Sequence, residues 1–265
     1  MIANCIDFER LEAQAEHLKL AFQTSSPFRH LLIDDFCHTA EAERLAQGFP
    51  KSTDEWIDAS GRNTRKKRTS PVPKESLAAQ FFEEAQSSRF LDWLSFVTEI
   101  DEFKIDPAYF GAGFHQTAPG GYLNVHIDFN RLKNGLDRRL NLLVYMNPEW
   151  HDDWGGEIEL WDVPNDKKVF SALPKLNRAI IFETNEVSYH GQPNPVASPD
   201  GTFRNSFSVY YYTEGRPDEE VAPDHSTIYV NVEGQKGRSK NALNMLEQIV
   251  TISPIRRRLR DRKKK

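Results

Sequence analysis

His126 and Asp128 stand two apart in "GYLNVHIDFN", residues 121–130, a stretch that otherwise reads as a β-strand. In an extended strand, residues i and i+2 point to the same side, so this imidazole and carboxylate can address one point. A third ligand has to come from elsewhere in the chain. The best candidate is His190, in "VSYHGQPNPV", at a strand-to-turn boundary. Two histidines and one carboxylate on one face of an octahedral ion leave three positions open, an arrangement suited to non-haem Fe(II), whereas a closed structural site needs a fourth protein ligand.

Downstream of His190, Arg204 opens the run "RNSFSVYYY". An inward-facing guanidinium on a strand is costly without an anion, and its planar fork matches a carboxylate. Ser206 lies on the same side of that strand and can add a hydroxyl. A dicarboxylic 2-oxo acid fits both ends, with its oxo-acid end on the metal and its far carboxylate on Arg204.

These side chains need a scaffold. Phe8, Leu11, Ala15, Leu18 and Phe22 follow the spacing of one helical face, which predicts a single helix ending near Thr24. "FRHLLIDDF" predicts a strand and "TAEAERLAQGF" a helix from Thr39 to about Gly48. The polar stretch from Lys51 to Lys74 reads as a mobile, substrate-facing loop, and Glu75 to Ile100 as one or two helices. Beyond Pro107 the chain turns to short β-rich runs, "YFGAGFHQ", "YLNVHIDF", "LNLLVYMN", "GEIELWD", "KVFSAL", "AIIFE" and "FSVYYYT", separated by turn residues such as "APGG" and "WGG". That pattern predicts an antiparallel sandwich or jelly roll, mainly β with flanking helices, rather than βαβ units. The expected organisation is one integrated domain: residues 1–106 packed on a core of 107–215, then an extension, 216–265, with "NALNMLEQIV" as a last helix.

With 265 residues, 38% hydrophobic and 28% charged, the chain can bury a substantial core as a soluble protein. Charges interrupt the first twenty residues, and no later stretch approaches a membrane span. Cys5 and Cys37 form no C-x-x-C pattern, so a reducing cytoplasm is the expected compartment. The last ten residues hold eight Lys or Arg against one Asp in a chain of net charge −5. Without interleaved aromatics, that tail reads as a solvated end rather than a nucleic-acid contact.

The string His126-x-Asp128, "LNLLVYMN", "WGGEIELWD", "AIIFE", "HGQPNPV" and "RNSFSVYYY" resembles the Fe(II)- and 2-oxoglutarate-dependent oxygenases, specifically their prolyl-4-hydroxylase-like branch. The resemblance implies a double-stranded β-helix, or cupin-like jelly roll, buttressed by N-terminal helices. It makes His126, Asp128 and His190 the iron ligands and Arg204 the partner of the 2-oxoglutarate distal carboxylate, with Tyr145 hydrogen-bonded to the same group. Gln116 falls near a further co-substrate-binding position, with His115 as its alternative. Fe(II), 2-oxoglutarate and O2 are then the reactants, with ascorbate in a supporting role and succinate and CO2 as co-products. The expected outcome is hydroxylation of an aliphatic C–H on a prolyl or other amino-acid-type substrate, free or within a peptide, protein or biosynthetic intermediate.

Other polar residues carry weaker signals. Asn130 and Arg131, in "FNRLKNGLDRR", are substrate-contact candidates, and "RNTRKKR" is a candidate second wall of the pocket. "HDDW", residues 151–154, reads as a solvated turn, His17 as a surface residue of the N-terminal helix, and His30, His38, His151 and His225 have no partner spacing. Competing classes are a non-catalytic jelly-roll binding module, a cupin-like metal isomerase or hydrolase and, through the basic tail, a nucleic-acid oxidative demethylase. The intact triad together with Arg204 argues against the binding module.

Overall fold

The computed structural model describes residues 4–50 and 56–232. The tail, including "NALNMLEQIV" and the basic run, lies outside the described residues. Helix α1 (Phe8–Ala13) and α2 (Ala15–Thr24) replace the single helix expected there. The break falls at Gln14, whose N–H bonds back to Arg10 and Glu12. Both halves still bury the predicted face, with Phe8, Leu11, Leu18 and Phe22 in the main core. Strand β1 (His30–Ile33) and α3 (Thr39–Gln47) follow as predicted.

The stretch expected to be a mobile loop contains a hairpin, β2 (Ile57–Asp58) and β3 (Thr64–Ser70). Its strand sequence, "TRKKRTS", shows no hydrophobic alternation: five of its seven residues are only half-buried or exposed, and Lys67 turns into the pocket. Two helices follow, α4 (Leu77–Glu84) and α5 (Ser88–Thr98), with Ser76 and Ser87 accepting N-terminal backbone N–H groups.

The remaining strands are β4 (Gly113–Ile127), β5 (Asp137–Tyr145), β6 (Ile158–Asp162), β7 (Lys167–Ala172), β8 (Ala179–Glu183), β9 (His190–Gln192), β10 (Arg204–Thr213) and β11 (Ile228–Tyr229). Their order is β1-β8-β5-β10-β4-β9-β6-β7, every pairing antiparallel. Strand β4 belongs to both halves: residues 113–117 pair with β10, and 123 and 126 pair with β9. The "APGG" segment that reads as a turn is instead a bulge inside this strand, since only Lys66 lies between the β3 residues opposite Tyr122 and Thr117. Gly121 is required there, because a Cβ would lie 2.6 Å from Thr117 Cγ2 and 2.7 Å from two carbonyl oxygens.

Period-two alternation then divides the faces. Leu140, Leu142 and Val144 of β5 and Phe207, Val209 and Tyr211 of β10 join the helices in one core. Asn141, Leu143, Arg204, Ser206, Ser208 and Tyr210, on the opposite faces of the same strands, line a pocket between the sheets. This is a mainly β double-stranded β-helix with helices covering one sheet.

Candidate active site

Within the half that β4 shares with β9, the strand pairing sets His126 directly opposite His190. Asp128 lies just past the end of β4, so the two histidines and one carboxylate present ligand atoms within 4.8 Å of one another. His126 Nε2 is 3.6 Å from Asp128 Oδ1, and His190 Nε2 is 3.4 Å from Asp128 Oδ2. The opposite nitrogen of each ring is already spent: His126 Nδ1 donates to Asn124 O and His190 Nδ1 to Ser188 O, both at 2.8 Å. Those carbonyls fix the Nδ1–H tautomer and leave each Nε2 lone pair facing Asp128.

The charge balance suits a cation. Burial, followed by the neighbouring His190, lowers the His126 pKa and so favours the neutral, ligating form. For Asp128 burial works upward, but Arg138 and the two histidines outweigh it and hold the carboxyl well below its usual range. Asn141 Nδ2 donates to Asp128 Oδ2 at 2.7 Å, and Arg138 Nη2 lies 3.1 Å from the same oxygen. The donor set of two imidazoles and one ionised carboxylate fits Fe(II), and the described residues form no other cluster of three or more such ligands.

Arg204 lines the same pocket from β10. Its Nε donates to Gly156 O at 2.6 Å, and its Nη2 donates to the Tyr145 hydroxyl at 3.2 Å. The guanidinium also stacks over the Tyr145 ring, 4.9 Å from its centroid. Burial raises the Tyr145 pKa against the pull of Arg204, so the phenol stays protonated. Ser206 projects into the pocket beside them.

The structure separates the remaining sequence candidates. Gln116 turns away from the pocket, accepting from Arg68 at 2.6 Å and donating to Asn205 at 3.0 Å; the expected co-substrate contact is therefore corrected to a bridge between β3 and β10 on the opposite face. Its neighbour His115 faces inward. Asn130 and Arg131 do not line the pocket either. Asn130 binds Pro223 O and the His225 N–H, and Arg131 pairs with Asp224 and Asp137, so both fasten the chain after residue 216. "HDDW" is an exposed 3-10 turn, as expected. From "RNTRKKR" only Lys67 reaches the pocket, joined by Arg138, Asn141 and Thr117, which sequence reasoning did not single out. The available signal was Asn141, a lone polar residue on the inward side of the apolar strand "LNLLVY".

Comparisons with known proteins agree with this geometry. Residues 112–212 match the family model of the 2OG-Fe(II) oxygenase superfamily. A curated relative, prolyl 3-hydroxylase OGFOD1 of Xenopus laevis, is 28% identical over 71% of this chain and 35% of its own length. The Mus musculus protein of the same name is 29% identical over 70% of this chain and 33% of its own length. This chain thus spans about a third of the curated relatives it matches. In fold, it resembles a prolyl 4-hydroxylase of Phytophthora capsici (TM-score 0.57, 15% identity, 94% of this chain and 75% of that one). It also resembles a prolyl hydroxylase of Trichoplax adhaerens solved with a hypoxia-inducible factor peptide (TM-score 0.54, 18% identity, 78% and 92%).

Proposed function

We propose that this chain, whose residues 112–212 match the family model of the 2OG-Fe(II) oxygenase superfamily, is an Fe(II)- and 2-oxoglutarate-dependent hydroxylase acting on a prolyl group of a peptide or protein. The observation that carries this reading is one pocket lined both by the metal-ligand triad and by Arg204, which the buried Tyr145 braces from behind. The prolyl substrate is supported by the names of the two curated relatives. When bound, Fe(II) and 2-oxoglutarate would supply the oxidising power for O2-dependent C–H hydroxylation, with succinate and CO2 as co-products.

The chain's own residues bind and orient. His126, Asp128 and His190 would hold the metal, and the backbone carbonyls behind the rings keep the Nε2 atoms aimed. Arg204, locked by Gly156 O and Tyr145, would hold the distal carboxylate, with Ser206 beside it. Phe182, its ring centroid 4.5 Å from that of His190, together with Ile158 and Leu143, gives the pocket apolar walls that exclude water. We place the protein in the cytoplasm, where the buried free thiols of Cys5 and Cys37 stay reduced and ascorbate can serve as supporting reductant.

The test is anaerobic addition of Fe(II) and then 2-oxoglutarate, reading the visible absorption of an Fe(II)–2-oxo acid chelate. The wild type is expected to show the band and His126→Ala to lack it. A folded, metal-loaded wild type without the band would return the binding-module and cupin-like readings to first place.

A further inference from the structure

Lys67 places an ammonium in the pocket that makes no hydrogen bond or ion pair among the described residues. Its position follows from strand register. Thr117 of β4 is paired with Lys67 on one side and with Arg204 on the other, so the three residues form one row across β3, β4 and β10. Directly opposed residues in antiparallel ladders project to the same face, and all three line the pocket. With strands about 4.8 Å apart, the backbones of Lys67 and Arg204 stand about 10 Å apart, a gap these two long side chains can close on a small anion between them.

Arg204 cannot enclose such an anion alone. Its Nε is committed to Gly156 O and its Nη2 to the Tyr145 hydroxyl, so the guanidinium is held in one orientation and presents mainly its Nη1 edge. We propose that Lys67 completes the site, its ammonium sharing the distal carboxylate of 2-oxoglutarate with Arg204. This inference rests on the hydroxylase reading above and adds a residue from the β2–β3 hairpin to it. Two adjacent cations without an anion repel each other, and burial together with Arg204 pulls the Lys67 pKa down to about 8. At pH 7 the ammonium form still dominates about tenfold. A carboxylate between the two cations relieves that repulsion, so the pocket should select 2-oxo acids that carry a second carboxylate.

The test is calorimetric titration of the Mn(II)-loaded protein, without oxygen, using 2-oxoglutarate and 2-oxopentanoate, which has a methyl in place of the distal carboxylate. Lys67→Met should weaken 2-oxoglutarate binding about 10- to 100-fold, leave 2-oxopentanoate within about twofold, and cause no loss of Mn(II) affinity. Lys67→Arg should recover most of the 2-oxoglutarate affinity. Unchanged 2-oxoglutarate binding in Lys67→Met overturns the proposal, as does equal loss for both acids, which would put Lys67 at the chelating end or in a structural role. Wild-type protein that binds Mn(II) but neither acid removes the hydroxylase reading and this proposal with it.

Discussion

At the scale of single residues, the site depends on which atoms are already occupied. Asp128 Oδ2 takes a hydrogen bond from Asn141 and pairs with the Arg138 guanidinium, which leaves Oδ1, near His126, as the freer donor. Asn141 is the cleaner residue to test, because removing Arg138 would also remove a positive charge that opposes cation binding. Asn141→Ala should lower metal affinity about 10- to 100-fold without changing the ligand set, as measured by competition with a metallochromic chelator. Arg204→Ala should do the reverse, weakening 2-oxoglutarate by at least about tenfold while metal binding holds; equal loss of both in a calorimetric titration would contradict the division of labour. The triad and Arg204 were legible in sequence because their chemistry is local: a two-residue spacing on a strand and a charge at a strand opening. Gln116 was misplaced because a strand's face is set by its register with distant partners, and a one-residue error reverses it. Lys67 was hidden for the same reason, its register being fixed only by pairing with β4 across a bulge.

Among the elements, the contact between β4 and β9 does most to bring the ligands together. Gly191 lies so close to β4 that a Cβ would sit 2.9 Å from Val125 Cα and 3.0 Å from the carbonyl oxygens of Leu123 and Asn124. Those atoms are backbone and cannot swing aside. Gly191→Ala should therefore push β9 outward and carry His190 away from His126, at a cost of about 1–3 kcal/mol. Thermal melting should show the loss of stability, and metal affinity should fall with it; a variant with reduced melting temperature but wild-type metal affinity would mean that the strand relaxes without moving His190. The strand run from β4 to β8 and β10 was readable because its apolar alternation and turn residues are local signals, whereas the three-residue β9, "HGQ", carries no alternation. The β2–β3 hairpin and the β4 bulge were not. A charged, largely half-exposed strand lacks the alternation, and "APGG" looks the same whether it ends a strand or bends one.

Across the molecule as a whole, the segment after β10 closes the outer side of the metal-bearing half. Strand β11 pairs with β4 at Ile127 and His126, the Tyr229 ring lies 5.3 Å from His126 centroid to centroid, and Val230 and Val232 join Val125, Ile127, Trp161 and Tyr189 in a small core. Polar ties hold it: Arg139 to Glu220, Arg131 to Asp224, Asn130 to Pro223 and His225, and His225 Nε2 to Glu186 Oε1 at 2.9 Å. The last of these is titratable near neutrality. Burial alone would lower the His225 pKa, but the hydrogen bond to Glu186 outweighs it and raises the folded-state value above the ordinary 6.5. The stabilisation is therefore fully present below about 6.5 and is lost as pH rises through the higher folded value. The pair is partly solvated, which limits its worth to under about 1 kcal/mol, or roughly 1–3 °C in melting temperature. Glu186→Gln should lower the melting temperature by that amount at pH 6 and by little at pH 8.5. An equal drop at both pH values would show that Glu186 supports the segment without the His225 charge.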